Sequence, residues 1–230
     1  MSPLLYRLLA WKLRHLIVPL YARVAVTGLD NVPRDGPLVI ACNHLNDADG
    51  ALLMACLPRT IAFMAKAELF AVPLLGRLLR ALGAIPVRRN EADLSALRHA
   101  NAALHRGLAL GIFPEGRSTT HEASLSEAWP GAALVALRAD APVLPVAITG
   151  AQRLQLPFFP PPLFHRHQVT LTIGEPFHLA KPSRLNSEAA AAGTASIMLR
   201  IAALLPPAYR GYYGDDAAAT STTVEGGPGG

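Results

Sequence analysis

The chain has 230 residues, enough for one domain with a full core. Apolar residues make up 51% and charged residues only 16%, against about 25% charged in an ordinary soluble domain. The net charge of +5 suits nucleic acid or an anionic bilayer; with 6% aromatics and no nucleic-acid-binding signature, the bilayer is the better match and no nucleic-acid partner is expected.

Residues 3–23 read as a helix. Helical spacing puts Leu5, Leu9, Leu13, Leu16 and Leu20 in one wide arc, with Arg7 and Arg14 opposite and Lys12 and Arg23 at the rim. A membrane-crossing helix needs about 20 mostly apolar residues, and Arg7, Lys12, Arg14 and His15 interrupt the run. A secretory leader needs one apolar core and a small-residue cleavage site, and neither is clean. Two readings stay open: a basic amphipathic helix in the headgroup layer, or a helix that buries its stripe on its own domain.

Strand-length segments rich in Val, Ile and Leu then alternate with helical ones. The strands are expected at 23–27, 38–42, 61–65, 84–88, 109–113, 143–148 and 168–173. The helices are expected at 49–57, 67–81, 91–107, 129–139 and 187–205, the third with Leu94, Leu97, Ala100, Ala103 and Leu104 on its apolar face. This alternation predicts an α/β fold, a single domain with a central, largely parallel mixed sheet flanked by helices. The expected organisation is an N-terminal helix over 1–23, a main domain over 24–210 and a disordered Gly-, Ala-, Ser- and Thr-rich tail over 211–230. The loop at 149–167 carries Phe158, Phe159 and Phe164 among four prolines, an apolar set that either dips into lipid or packs on the core. Cys42 and Cys56 lie in apolar runs without metal-type spacing and read as small buried hydrophobes in a reducing compartment.

Four segments carry polar groups where such a sheet places its sites. In 42-CNHLNDADG-50, His44 follows an apolar strand and precedes a helical run. On a regular helix, positions 44 and 49 lie about 140° apart. His44 and Asp49 therefore meet only if His44 sits in a loop that curls before the helix, a curl that Asn46, Asp47 and Gly50 suit. A carboxylate on one imidazole nitrogen fixes the tautomer, and the other nitrogen then takes a proton from an alcohol. Alternatively, Asp47 and Asp49 are helix caps and His44 an ordinary loop residue. A metal site from His44, Asp47 and Asp49 lacks a supporting cluster, so no metal is expected.

In 111-GIFPEGRSTT-120, backbone amides around Gly116, with Arg117, Ser118 and Thr119, suit an anion, or the segment is a structural turn with Glu115 in an ion pair. Segment 83-GAIPVRRN-90 ends a strand on two arginines. Lys66 ends another strand, as a snorkelling lysine or a phosphate contact. There is no Gly-x-Ser-x-Gly elbow, P-loop, dinucleotide Gly-x-Gly-x-x-Gly or Cys-x-x-Cys.

Together these segments resemble the glycerolipid acyltransferase family of the 1-acylglycerol-3-phosphate acyltransferase type. Asn43, His44 and Asp49 match its first block; Gly83, Pro86 and Arg89 its second; Phe113, Pro114, Glu115 and Gly116 its third; Leu144 to Ile148 its fourth. The resemblance spans roughly residues 25–180 and includes Lys66-Ala-Glu-Leu and Ile173-Gly-Glu-Pro. It implies transfer of a fatty-acyl group from acyl-CoA or acyl carrier protein to a lysophospholipid hydroxyl, with lysophosphatidic acid as the foremost acceptor; the alternatives are another lysolipid acceptor, such as a lyso-aminolipid, or a non-catalytic membrane-binding protein on the same scaffold. It implies His44 as base, Asp49 as its partner, and an acceptor site drawn from Lys66, Arg89, Glu115, Gly116, Arg117 and Ser118, with no cofactor beyond the thioester donor. It also implies peripheral or monotopic attachment to membrane lipid at the cytoplasmic face. Two departures stand out: Arg117 comes one position early after Gly116, and Arg88 replaces an acidic residue common in the family. Both bear on the acceptor rather than on the chemistry.

Overall fold

The computed structural model describes residues 2–88, 93–119, 122–154 and 166–214. Arg89, the three loop phenylalanines and the tail beyond Gly214 lie outside them. Among the described residues, seven strands form one sheet: β1 (Ala22–Thr27), β2 (Leu38–Cys42), β3 (Ile61–Lys66), β4 (Ile85–Val87), β5 (Ala109–Ile112), β6 (Val143–Thr149) and β7 (His167–Ile173). Their order is β1-β7-β6-β2-β5-β3-β4. All neighbours are parallel except β6 and β7, so the largely parallel mixed sheet is as expected.

Residues of β2 alternate between two cores. Leu38, Ile40 and Cys42 face the N-terminal helix and α3 (Asp49–Cys56). Val39 and Ala41 face α5 (Leu94–His105), α6 (Gly131–Ala139) and α7 (Ser187–Leu204). Burial on both faces is why these strands read as continuous apolar runs rather than alternating ones. Strand β2 is also where the chain order switches: β5 returns on one side of it and β6 on the other. The carboxyl edge beside such a switch is where an α/β sheet opens a crevice.

The N-terminal segment departs from one regular helix. It comprises α1 (Pro3–Lys12), a π turn (Leu13–Ile17) and α2 (Val18–Tyr21). A π turn closes i to i+5 and so adds one residue to the repeat. Tyr6, Leu13, Val18 and Tyr21 consequently share the buried face. Leu4, Leu8, Trp11, Leu16 and Leu20 share the exposed one. The expected arc is thereby split, with Leu13 turned in and Leu16 and Leu20 turned out. The helix is fastened to the domain: the Tyr6 hydroxyl accepts from Ile61 N–H at 3.0 Å and donates to the Arg59 carbonyl at 3.3 Å. Burial pushes that phenol up to about 12.

Two further helices differ from the sequence expectation. Residues 67–81 form a 3₁₀ turn (Ala67–Ala71) and then α4 (Pro73–Ala81), because Pro73 fixes the first helical position and holds Val72 extended. Helix α5 starts only after Asp93, whose carboxylate caps Ala96 N–H at 2.9 Å. Leu94 is exposed rather than on the buried face. Past α7, Gly211–Tyr213 form a short turn, and Tyr212 N–H bonds the Leu125 carbonyl at 2.9 Å.

Candidate active site

The loop after β2 is pinned from four directions. The Asn43 amide donates to the Ile148 carbonyl at 2.9 Å and accepts Ile148 N–H at 2.7 Å, so a side chain extends the β2–β6 pairing past the strand end. The next residue, His44, is buried and lies in the loop. Its backbone N–H donates to Glu115 Oε1 at 2.9 Å. Its carbonyl accepts from Thr119 N–H at 2.8 Å and from the Thr119 hydroxyl at 3.2 Å. Phe113 stacks on the imidazole, with centroids 4.2 Å apart and planes 18° apart.

Asp49 opens α3 and is fully buried. Its Oδ2 lies 3.0 Å from His44 Nδ1 and accepts the N–H groups of Leu45 at 2.7 Å and Asn46 at 2.8 Å. The loop curls as the five-residue spacing requires, and Asn46 Oδ1 holds the Ala48 N–H at 2.9 Å. Asp47 is exposed and takes no part in the pair. A carboxylate only accepts, so the proton at this contact sits on Nδ1 and the lone pair is on Nε2. Burial pushes the Asp49 carboxyl up, while the hydrogen bond and charge of His44 and the amides of Asn46 and Leu45 pull it down. The chain thus holds a buried carboxylate against a histidine whose second nitrogen is left without a proton.

Glu115 points inward. Its Oε1 holds His44 N–H, and its Oε2 accepts the Ser126 N–H at 2.8 Å and hydroxyl at 3.0 Å. Burial raises this carboxyl and the same hydrogen bonds lower it. Gly116 takes φ +68, and the edge of Trp129, an exposed ring, lies within 3.1 Å of where a Cβ would stand. Arg117 turns to solvent and meets Glu122 at 3.5 Å. Ser118 is half-buried beside it. Lys66 is exposed at the end of β3, paired in register with Val87, so it stands on the same carboxyl edge as His44. The structure therefore joins His44, Asp49 and Glu115 directly and leaves Lys66 and Arg117 on the rim. Among the described residues no group of three or more His, Cys, Asp or Glu converges as metal donors.

The sequence marks Phe113 only as part of its block and Thr119 only as an anion contact, not as supports of His44, and it does not single out Ser126.

A histidine–carboxylate pair on the carboxyl edge of a parallel sheet has the chemistry to accept a proton from a hydroxyl. Residues 23–149 match the family model Acyltransferase. The chain belongs to this family, of the 1-acyl-sn-glycerol-3-phosphate acyltransferase type, and is an O-acyltransferase. It is 35% identical over 187 residues to a 1-acyl-sn-glycerol-3-phosphate acyltransferase of Bacillus subtilis, covering 80% of this chain and 89% of that one. It is 38% identical over 162 residues to the lyso-ornithine lipid O-acyltransferase of Pseudomonas aeruginosa, covering 68% and 60%. The crystal structure of the 1-acyl-sn-glycerophosphate (LPA) acyltransferase PlsC of Thermotoga maritima superposes with a TM-score of 0.65 at 27% identity, covering 81% of this chain and 73% of that one.

Proposed function

We propose that this enzyme acylates the free hydroxyl of lysophosphatidic acid, giving phosphatidic acid, with acyl-CoA or acyl carrier protein as donor. The observation that carries the reading is the 3.0 Å contact between His44 Nδ1 and the buried Asp49 carboxylate. His44 Nε2 removes the proton from the acceptor hydroxyl, and the oxygen attacks the thioester carbonyl. Asp49 stabilises the imidazolium that forms. The tetrahedral intermediate collapses, the C–S bond breaks, and the imidazolium returns the proton to the thiolate. No serine or cysteine nucleophile and no metal is needed. Lys66 and Ser118 supply acceptor contacts on the rim, and Arg89, outside the described residues, adds a further one. Glu115 acts through the backbone of His44. The enzyme works at the cytoplasmic face of the cell membrane as a peripheral or monotopic protein; no described helix is long and apolar enough to cross.

A second acceptor class is supported by one pair of observations. Identity to the lyso-ornithine lipid enzyme is 38%, and Arg117 is drawn to Glu122 rather than toward His44. The deciding experiment offers the purified enzyme lysophosphatidic acid and lyso-ornithine lipid together, with mixed acyl donors, and identifies products by mass spectrometry. Phosphatidic acid as the main product supports the first reading. Acylated ornithine lipid as the main product replaces it.

A further inference from the structure

Nine of the fifteen large apolar side chains exposed among the described residues lie on two segments. Five form the outer face of α1–α2 described above. The other four, Leu69, Val72, Leu74 and Leu78, lie on the 3₁₀ turn and α4. The segments adjoin, because Ser2 N–H at the start of α1 bonds the Ala81 carbonyl at the end of α4 at 2.8 Å.

Helix α4 has more apolar surface than the domain covers. At 100° per residue, Leu74, Leu78, Leu82, Leu75 and Leu79 spread over about 140°. Leu82 is buried, and Leu75 and Leu79 are half-buried. Leu74, at 79% exposure, and Leu78 face outward. Arg77 follows about 60° beyond Leu74 on the same projection. The helix is held in this pose: a Cβ on Gly76 would collide with the Phe70 carbonyl, to which Arg80 also donates at 3.2 Å. Charge over both segments is predominantly positive. Residues 3–21 contain no acid and residues 67–81 only Glu68, against Arg7, Lys12, Arg14, Arg77 and Arg80.

We propose that α4 with its preceding turn is a second membrane-contacting element, which joins the outer face of α1–α2 in one apolar, cation-edged surface for an anionic bilayer. Leucines enter the acyl boundary, arginines meet lipid phosphates, and Trp11 sits at the headgroup level. Two joined contacts fix the orientation of the domain, which one helix leaves free to rotate. The proposal rests on the interfacial reading given above.

Flotation with phosphatidylcholine vesicles containing phosphatidylglycerol tests it. Three proteins are compared: wild type, Leu8→Asp/Leu16→Asp on α1–α2, and Leu74→Asp/Leu78→Asp on α4. Each double variant is expected to lose at least tenfold in bound fraction, with the α4 variant's transfer rate to a short-chain, water-soluble acceptor unchanged. As a check that keeps the wild-type charge, Leu74→Trp in a Trp11→Phe/Trp129→Phe background is expected to shift its emission to the blue and be quenched by brominated lipid. If the α1 variant loses binding and the α4 variant does not, this proposal fails and the interfacial reading stands. If wild type does not bind, both fail. A vesicle-free dimer that the α4 variant abolishes would assign this face to a second copy instead.

Discussion

The carboxylate of Glu115 accepts the backbone N–H of His44 at 2.9 Å, across 71 residues of sequence. Two loops from neighbouring strands are thereby locked together. Thr119 closes the same clamp from the carbonyl side, so the His44 backbone is held at both its N–H and its C=O. Such positioning matters because catalytic groups must stay within about 0.5 Å of productive geometry.

Glu115→Ala leaves the His44 and Ser126 N–H groups without their acceptor. A buried donor stranded in this way costs about 1–3 kcal/mol. The expected result is a lower thermal midpoint and a fall in kcat, with KM for the acceptor within about twofold of wild type. A large rise in KM at unchanged midpoint would show that Glu115 touches substrate.

Asn43→Ala unpairs both backbone groups of Ile148 and unfastens the loop ahead of His44. Denaturant unfolding should show a loss of about 1–3 kcal/mol or more, since two buried groups lose partners. A loss under half a kilocalorie would mean that the β2–β6 edge holds without this bridge.

Asp49 gives a pH test with a defined sign. Its folded pKa lies above the ordinary value of 3.8, so the folded state binds this proton more tightly than the unfolded chain. The carboxylate's contribution to stability therefore declines as pH rises from about 4 through the raised folded value, and is level above it. Asn lacks this titration, and its side-chain oxygen can accept the same three hydrogen bonds. The thermal midpoint of Asp49→Asn relative to wild type should climb across that window, while the transfer rate falls. A pH-independent difference would contradict the burial argument.

Tyr6→Phe removes the bond that ties α1 to the start of β3. A cost of about 1–3 kcal/mol is expected from the stranded Ile61 N–H, measured by denaturant unfolding. No change would show that the N-terminal helix docks through its apolar face alone.

Much of the fold was legible. Strands buried on both faces leave unbroken Val, Ile and Leu runs, and β2, β5 and β6 stand where those runs do. The pair of His44 and Asp49 was legible as a geometric condition, a loop before the helix, and Asp47 was the decoy. The π turn was not, because Leu13–Ile17 carries no residue that marks it; only packing of Tyr6 and Val18 on one face requires the extra residue. Pro73 did mark the start of α4, but the leucines on both sides masked it. The inward turn of Glu115 depends on Ser126 and on His44, contacts that no local pattern encodes. Arg117 stands one position early in its block, and its side chain follows Glu122 into solvent.

The most direct test of the central claim is the transfer rate of purified His44→Ala with a thioester donor and lysophosphatidic acid. A general base contributes about 10²–10⁴-fold. We expect kcat to fall by that factor while the thermal midpoint stays near that of wild type. A variant that folds and transfers at near the wild-type rate would contradict the assignment of His44 as the base.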